Sequence, residues 1–90
     1  MQTNEDIVSR FFMALDALYA IGEIRHYTHF EREAGIRHSS LYKLRKNYSS
    51  RVLQPYWLSL LVDKYSVSAE WLLLGRGRMF CGNAETQMQY

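Results

Sequence analysis

The stretch 37-RHSSLYKLRKN-47 holds Arg37, Lys43, Arg45 and Lys46, two serines, a histidine and a tyrosine, with no acid among them. Wound as a helix at about 100° per residue, Leu41 and Leu44 define one side. Ser39, Tyr42, Lys43 and Lys46 then fall on the other side at i, i+3, i+4 and i+7. Those side chains suit a patterned polyanion. Ser39 can donate or accept at a base edge or a phosphate. Tyr42 offers its ring to a thymine methyl and its hydroxyl to a phosphate. Lys43 can approach the guanine acceptors, and Lys46 meets the backbone. Arg37 and His38 stand at the helix entrance, within reach of either, and Arg45 on the flank fits a phosphate contact. Exposed helical faces are commonly polar and cationic, so the weight falls on what surrounds this one.

The charge balance supports an anionic partner. Residues 34–62 carry five cations (Arg37, Lys43, Arg45, Lys46, Arg51) and no Asp or Glu, a local +5 within a net charge of +2. The rest of the chain is therefore acidic, and the cations describe a basic surface, not a basic protein.

The elements that position this stretch follow from periodicity. Residues 4–21 place Val8, Phe11, Phe12, Leu15, Leu18 and Tyr19 at three- and four-residue spacing, an amphipathic helix. Thr3 or Asn4 can cap it, Glu5 and Asp6 suit its first turn, and Gly22 can stop it. A short helix over 26–34 turns Phe30 and Ala34 inward and ends at Gly35. A second over 38–46 ends at Asn47, which tolerates the left-handed conformation. Pro55 suits the first turn of a fourth helix, which reaches Tyr65 with Trp57, Leu58, Leu61, Val62 and Tyr65 inward. Ser68 caps a final helix over 69–74. From Cys81 onward the sequence lacks period and apolar content, and a frayed tail is expected over 81–90. The fold class expected over 1–80 is all-α, a compact bundle of about five helices.

Two short helices joined by Gly35-Ile36-Arg37 have the helix-turn-helix pattern. Gly35 can take positive φ and reverse the chain. Phe30, Ile36, Leu41 and Leu44 pin both helices to the first and fourth, which leaves the outer side of 38–46 free for a major groove.

At this point FEREAGIRHSSLYKLRKN resembles the second and third helices of lambda-repressor-like helix-turn-helix domains of small bacterial and phage regulators. VSAEWLLLGRGRMF is similar to the W-L-L-x-G-x-G-x-M-F ending of many bacterial members. The resemblance covers residues 11–80. It implies sequence-specific binding of double-stranded DNA, a role in transcription regulation, repression more than activation, and binding as a homodimer. Many members hold a phosphate with a Gln near the start of the second helix; here Tyr27 stands there, beside His26 and Thr28, so Tyr27 and Thr28 join the candidate contacts. Glu31 departs from the family, which usually has a small residue four positions before the turn glycine. Either the two helices splay or Glu31 points out through a shifted register.

Other functions have less support. His26 and His29 are three apart, but no carboxylate or thiol pattern at ligand spacing accompanies them. No nucleophile elbow or phosphate loop exists, and Gly75-Arg76-Gly77 lacks the preceding strand such a loop needs. We expect no enzyme activity, no cofactor, no metal and no small-molecule ligand. A lone Cys81 fits a reducing compartment, no apolar run could span a bilayer, and the acidic start is unlike a signal peptide. The expectation is a cytoplasmic protein that does not enter membranes. The main rival is a protein-interaction module, since Tyr56, Trp57, Tyr65, Trp71 and Phe80 are a heavy aromatic load for 90 residues.

Overall fold

Thr3 starts the first helix by satisfying backbone donors that a helix start leaves unpaired. Its Oγ1 accepts from the Asp6 N–H at 3.1 Å, and the Asp6 carboxylate accepts from the Thr3 N–H at 3.1 Å. The computed structural model describes residues 3–37, 39–49 and 53–80; His38, Arg51 and the tail expected over 81–90 lie outside them. Helix α1 runs Asn4–Ala20 and buries Val8, Phe11, Phe12, Ala14, Leu15 and Leu18. Gly22, at φ +85°, turns the chain after it.

Helix α2 is Tyr27–Ala34, with His26 at its N-cap. It closes on Gly35 at φ 71°, where the Ile36 N–H donates to the Glu31 carbonyl at 2.8 Å. Helix α3 is Ser40–Lys46, two residues shorter at its start than the sequence implies. Its N-cap, Ser39, is itself left-handed at φ 70°, so the turn between α2 and α3 is bounded by two residues of positive φ. Asn47 corrects an expectation. It is extended at φ −147°, not left-handed, and its Oδ1 accepts from the Ser49 N–H and Oγ at 3.2 and 2.8 Å. The side-chain turn makes the stop that a left-handed backbone would otherwise make.

Pro55 opens α4, Pro55–Tyr65, where its missing N–H costs nothing. Trp57, Leu61 and Tyr65 are buried, with Leu58 and Val62 half-buried beside them. Ser66 turns left-handed at φ 61°, and Ser68 Oγ accepts from the Trp71 N–H at 3.2 Å to cap α5, Ala69–Leu74. Arg10 of α1 ties down the far end of α5, donating from Nε to the Leu72 carbonyl at 2.8 Å and from Nη2 to that of Leu73 at 3.2 Å. Met79 and Phe80 return alongside, through Ser68 N–H to the Met79 carbonyl at 2.8 Å and an isolated bridge between Val67 and Phe80.

The architecture is all-α, with five helices and no strand beyond that bridge among the described residues. None of these helices is long and apolar enough to cross a membrane. The core is centred on Phe11, whose ring meets Phe12 and Phe30 edge-on at 5.3 and 5.7 Å and faces Trp57 at 6.5 Å. Phe30, Ile36, Leu41 and Leu44 are all buried in one cluster with the core residues of α1 and α4, and the Phe30 ring meets Phe11 of α1 and Tyr65 of α4 at 5.7 and 6.5 Å. Tyr19 differs: the period turns it inward, yet it is 59% exposed. It lies in the last turn of α1, where it lines an open cleft.

Candidate nucleic-acid interface

Leu41 and Leu44 are 0% and 1% exposed and fix the inward side of α3. Tyr42, Lys43 and Lys46 are exposed, and Lys46 Nζ lies 4.5 Å above the Tyr42 ring, close enough for a cation–π contact. Ser39 is half-buried at the helix start. The outer face therefore presents two ammonium groups and a phenol, donors for phosphate oxygens or for guanine O6 and N7. Arg37, one turn earlier, is exposed as well. His38 lies outside the described residues.

Three candidates have intramolecular partners that sequence reasoning did not foresee. The Arg45 guanidinium donates from Nη1 and Nη2 to the two carboxylate oxygens of Asp16, on α1, at 3.0 Å each. It also contacts the Tyr27 hydroxyl and lies over the rings of Phe12 and Tyr27 at 5.5 and 5.8 Å. The Tyr27 hydroxyl donates to Asp16 at 2.8 Å. Arg45 and Tyr27, expected as phosphate contacts, thus join α3 and α2 to α1 around a single carboxylate. The planar fork of arginine matches a carboxylate in this way, whereas a lysine could not. Thr28 is half-buried, with its Oγ1 3.4 Å from His26 Nδ1.

Protonation follows that geometry. Burial alone would raise the pKa of Asp16, but hydrogen bonds from Arg45 and Tyr27 and the charge of Arg45 outweigh it and hold the carboxyl below its ordinary value. Partial burial, with the hydrogen bond to Asp16 and the charge of Asp16, pushes the Tyr27 phenol up to about 12. At neutral pH the pair is therefore a neutral phenol donating to a carboxylate.

Glu31 is buried at 3% exposure, so the outward alternative does not hold. Its Oε2 accepts from the Leu41 N–H at 3.1 Å. Ser39 makes no side-chain cap on α3, and Glu31 fills that role from the neighbouring helix. An acid at a helix start is also favoured by the helix dipole. On the opposite side of α2, the Glu33 carboxylate accepts from Lys64 and from the Tyr65 hydroxyl, both on α4, with His29 Nε2 at 3.8 Å. Burial raises the Glu33 pKa, and the bonds from Lys64 and Tyr65 lower it by more.

Between the end of α1, the start of α2 and the start of α3 lies an open cleft of about 580 Å³, walled by Tyr19, Tyr27 and Tyr42 with Asp16, Glu31 and Ser39. The roles of Asp16 and Glu31 had no signal in the sequence beyond the misfit at Glu31.

No family model, curated protein or solved structure matches this chain. Its relation to the lambda-repressor-like domains is a resemblance in the residues quoted above.

Proposed function

We propose that α2 and α3 form a helix-turn-helix that binds double-stranded DNA by sequence, and that the chain acts as a transcription regulator. One observation carries this reading: Tyr42, Lys43 and Lys46 stand exposed on the side of α3 away from the buried Leu41 and Leu44. Two features support it. The α2–α3 turn reverses at a left-handed glycine, and residues 34–62 contain no acid. In this reading Lys43 reads bases, Lys46 and Arg37 grip phosphate, and Tyr27 and Arg45 hold the helix. Repression and a phage or mobile-element origin are what the resemblance favours, and a cytoplasmic location is what the lone Cys81 favours. A homodimer on a two-fold site would give exposed apolar side chains such as Leu73 and Leu74 a use.

Fluorescence anisotropy with a labelled duplex tests this. Affinity should fall by orders of magnitude between about 50 and 200 mM salt. Lys46→Ala should weaken all duplexes alike and flatten the salt slope, and Lys43→Ala should change which sequence is preferred. Absence of duplex binding at micromolar protein and low salt would reject the reading. A protein-interaction module is the second reading, favoured by Ile21 and Tyr56 at 64% and 56% exposure. Recovery of a protein partner together with no duplex binding would support it.

A further inference from the structure

Helix α3 has little apolar support for an element proposed to read a groove. Its 7 residues bury Ser40, Leu41 and Leu44. Two neighbouring leucines fix how deeply a short helix sits but leave its tilt and rotation soft. The flank toward α1 and the start of α2 borders the cleft at Ser39 and Tyr42, so apolar side chains alone do not restrain it. Polar ties across that side do. Glu31 holds the start of α3 at the Leu41 N–H, and Asp16 holds its end through both nitrogens of the Arg45 fork. Tyr27 donates to the same carboxylate, so Asp16 fixes α3 relative to α1 and α2 at once. Arg45 lies between Lys43 and Lys46 in the chain, so holding it against Asp16 restrains the rotation of α3 and with it the Cα–Cβ directions of both lysines.

We propose that Asp16 is a positioning residue for the α3 surface, setting the angle at which Lys43 and Lys46 meet DNA without touching DNA itself. The inference rests on the DNA-binding reading. It has an unusual sign. An acid beside a DNA-binding face ordinarily opposes binding, and its removal raises affinity by adding one positive charge to the balance. Removal of a positioning acid lowers affinity despite that gain. The carboxylate and guanidinium are 51% and 42% exposed, so the tie is of surface strength and its loss is worth a modest factor.

The test uses the full chain, a duplex selected by it from a random pool, and a scrambled duplex of equal length. Binding is measured at a temperature where circular dichroism shows every variant fully folded, so that a loss of stability alone cannot register. Asp16→Asn should weaken the selected duplex about fivefold and the scrambled one less, narrowing the ratio between them. Arg45→Lys, which keeps the charge and loses the fork, should do the same, and the double variant should be no worse than either single one. Asp16→Glu, which keeps a carboxylate, should recover most of the loss. Equal or tighter binding by Asp16→Asn overturns the proposal, as does additivity in the double variant. If the wild-type chain selects no duplex, the DNA reading falls and this role falls with it. Amide exchange then judges the tie alone, since Asp16→Asn should speed exchange across α3 and spare α4, and unchanged exchange would show that Asp16 does not hold α3.

Discussion

Replacing Glu31 by alanine sets two accounts of the α2–α3 packing against each other. The resemblance places a small side chain at this position so that the helices can approach closely, and on that ground alanine would stabilise the protein. The structure gives Glu31 a task, because its carboxylate accepts from the Leu41 N–H at 3.1 Å and α3 receives no side-chain cap from Ser39. A hydrogen bond to a charged group contributes about 1.5–3 kcal/mol, and a lost helix cap costs about 1 kcal/mol. These describe the same contact and are not added. Two terms oppose them. Alanine relieves the desolvation of a buried carboxylate, and water entering from the cleft beside Glu31 can recover part of the bond. The net expectation is a loss of about 2 kcal/mol, or a melting temperature lower by about 10 °C for a domain of this size. Glu31→Gln keeps an acceptor oxygen and should lose about 0.5–1 kcal/mol. Thermal and urea unfolding by circular dichroism give the stabilities, and amide exchange at Leu41 reports the bond itself. A Glu31→Ala protein as stable as the wild type, or more so, with Leu41 still protected, would refute the capping role.

Two glycines should separate by environment. Gly35 and Gly75 are both left-handed, but a Cβ at Gly35 meets open space, whereas one at Gly75 lies 3.1 Å from Arg10 Nη1. Gly35→Ala should cost only the backbone strain, about 1 kcal/mol; Gly75→Ala should cost more, because Arg10 would have to loosen its hold on α5, and equal costs would contradict that contact. Stability should also fall in acid. Asp6, held by the Thr3 backbone, and Asp16 and Glu33, held by their side-chain donors, all titrate below their ordinary values. Their contribution is present above the unfolded carboxyl range and is lost as pH drops through the lower folded values. The urea midpoint should therefore hold down to about pH 5 and decline below it, less steeply in Asp16→Asn; a midpoint flat to about pH 2.5 would contradict the assignment.

The elements were largely legible because their boundaries are local chemistry. Thr3 with Asp6, Pro55, Ser68 and the glycines at 22, 35 and 75 are signals readable within one turn, and the helix ends fall at or beside them. The inward side of α3 was legible for the same reason, since Leu41 and Leu44 give a short helix only one apolar side to bury. The failures share a different cause. Tyr19 has the angle of a core residue, but periodicity gives direction and not whether another element stands opposite. Arg45 reads as one more cation until Asp16, 29 residues earlier, is brought beside it. Glu31 was visible as a misfit, yet its role depends on an amide 10 residues away across a left-handed turn. Ser39 reads as a residue of the helix's outer stripe, and its place as a left-handed N-cap has no local sequence marker.

The central claim is that the exposed face of α3 reads duplex DNA. Selection of bound sequences from a random duplex pool tests it most directly, with the Lys43→Ala and Lys46→Ala proteins run in parallel. The account predicts an enriched motif for the wild type, a changed motif for Lys43→Ala, and the same motif bound more weakly for Lys46→Ala. A pool that emerges without enrichment, or one motif retained unchanged in sequence and strength by both variants, would contradict it.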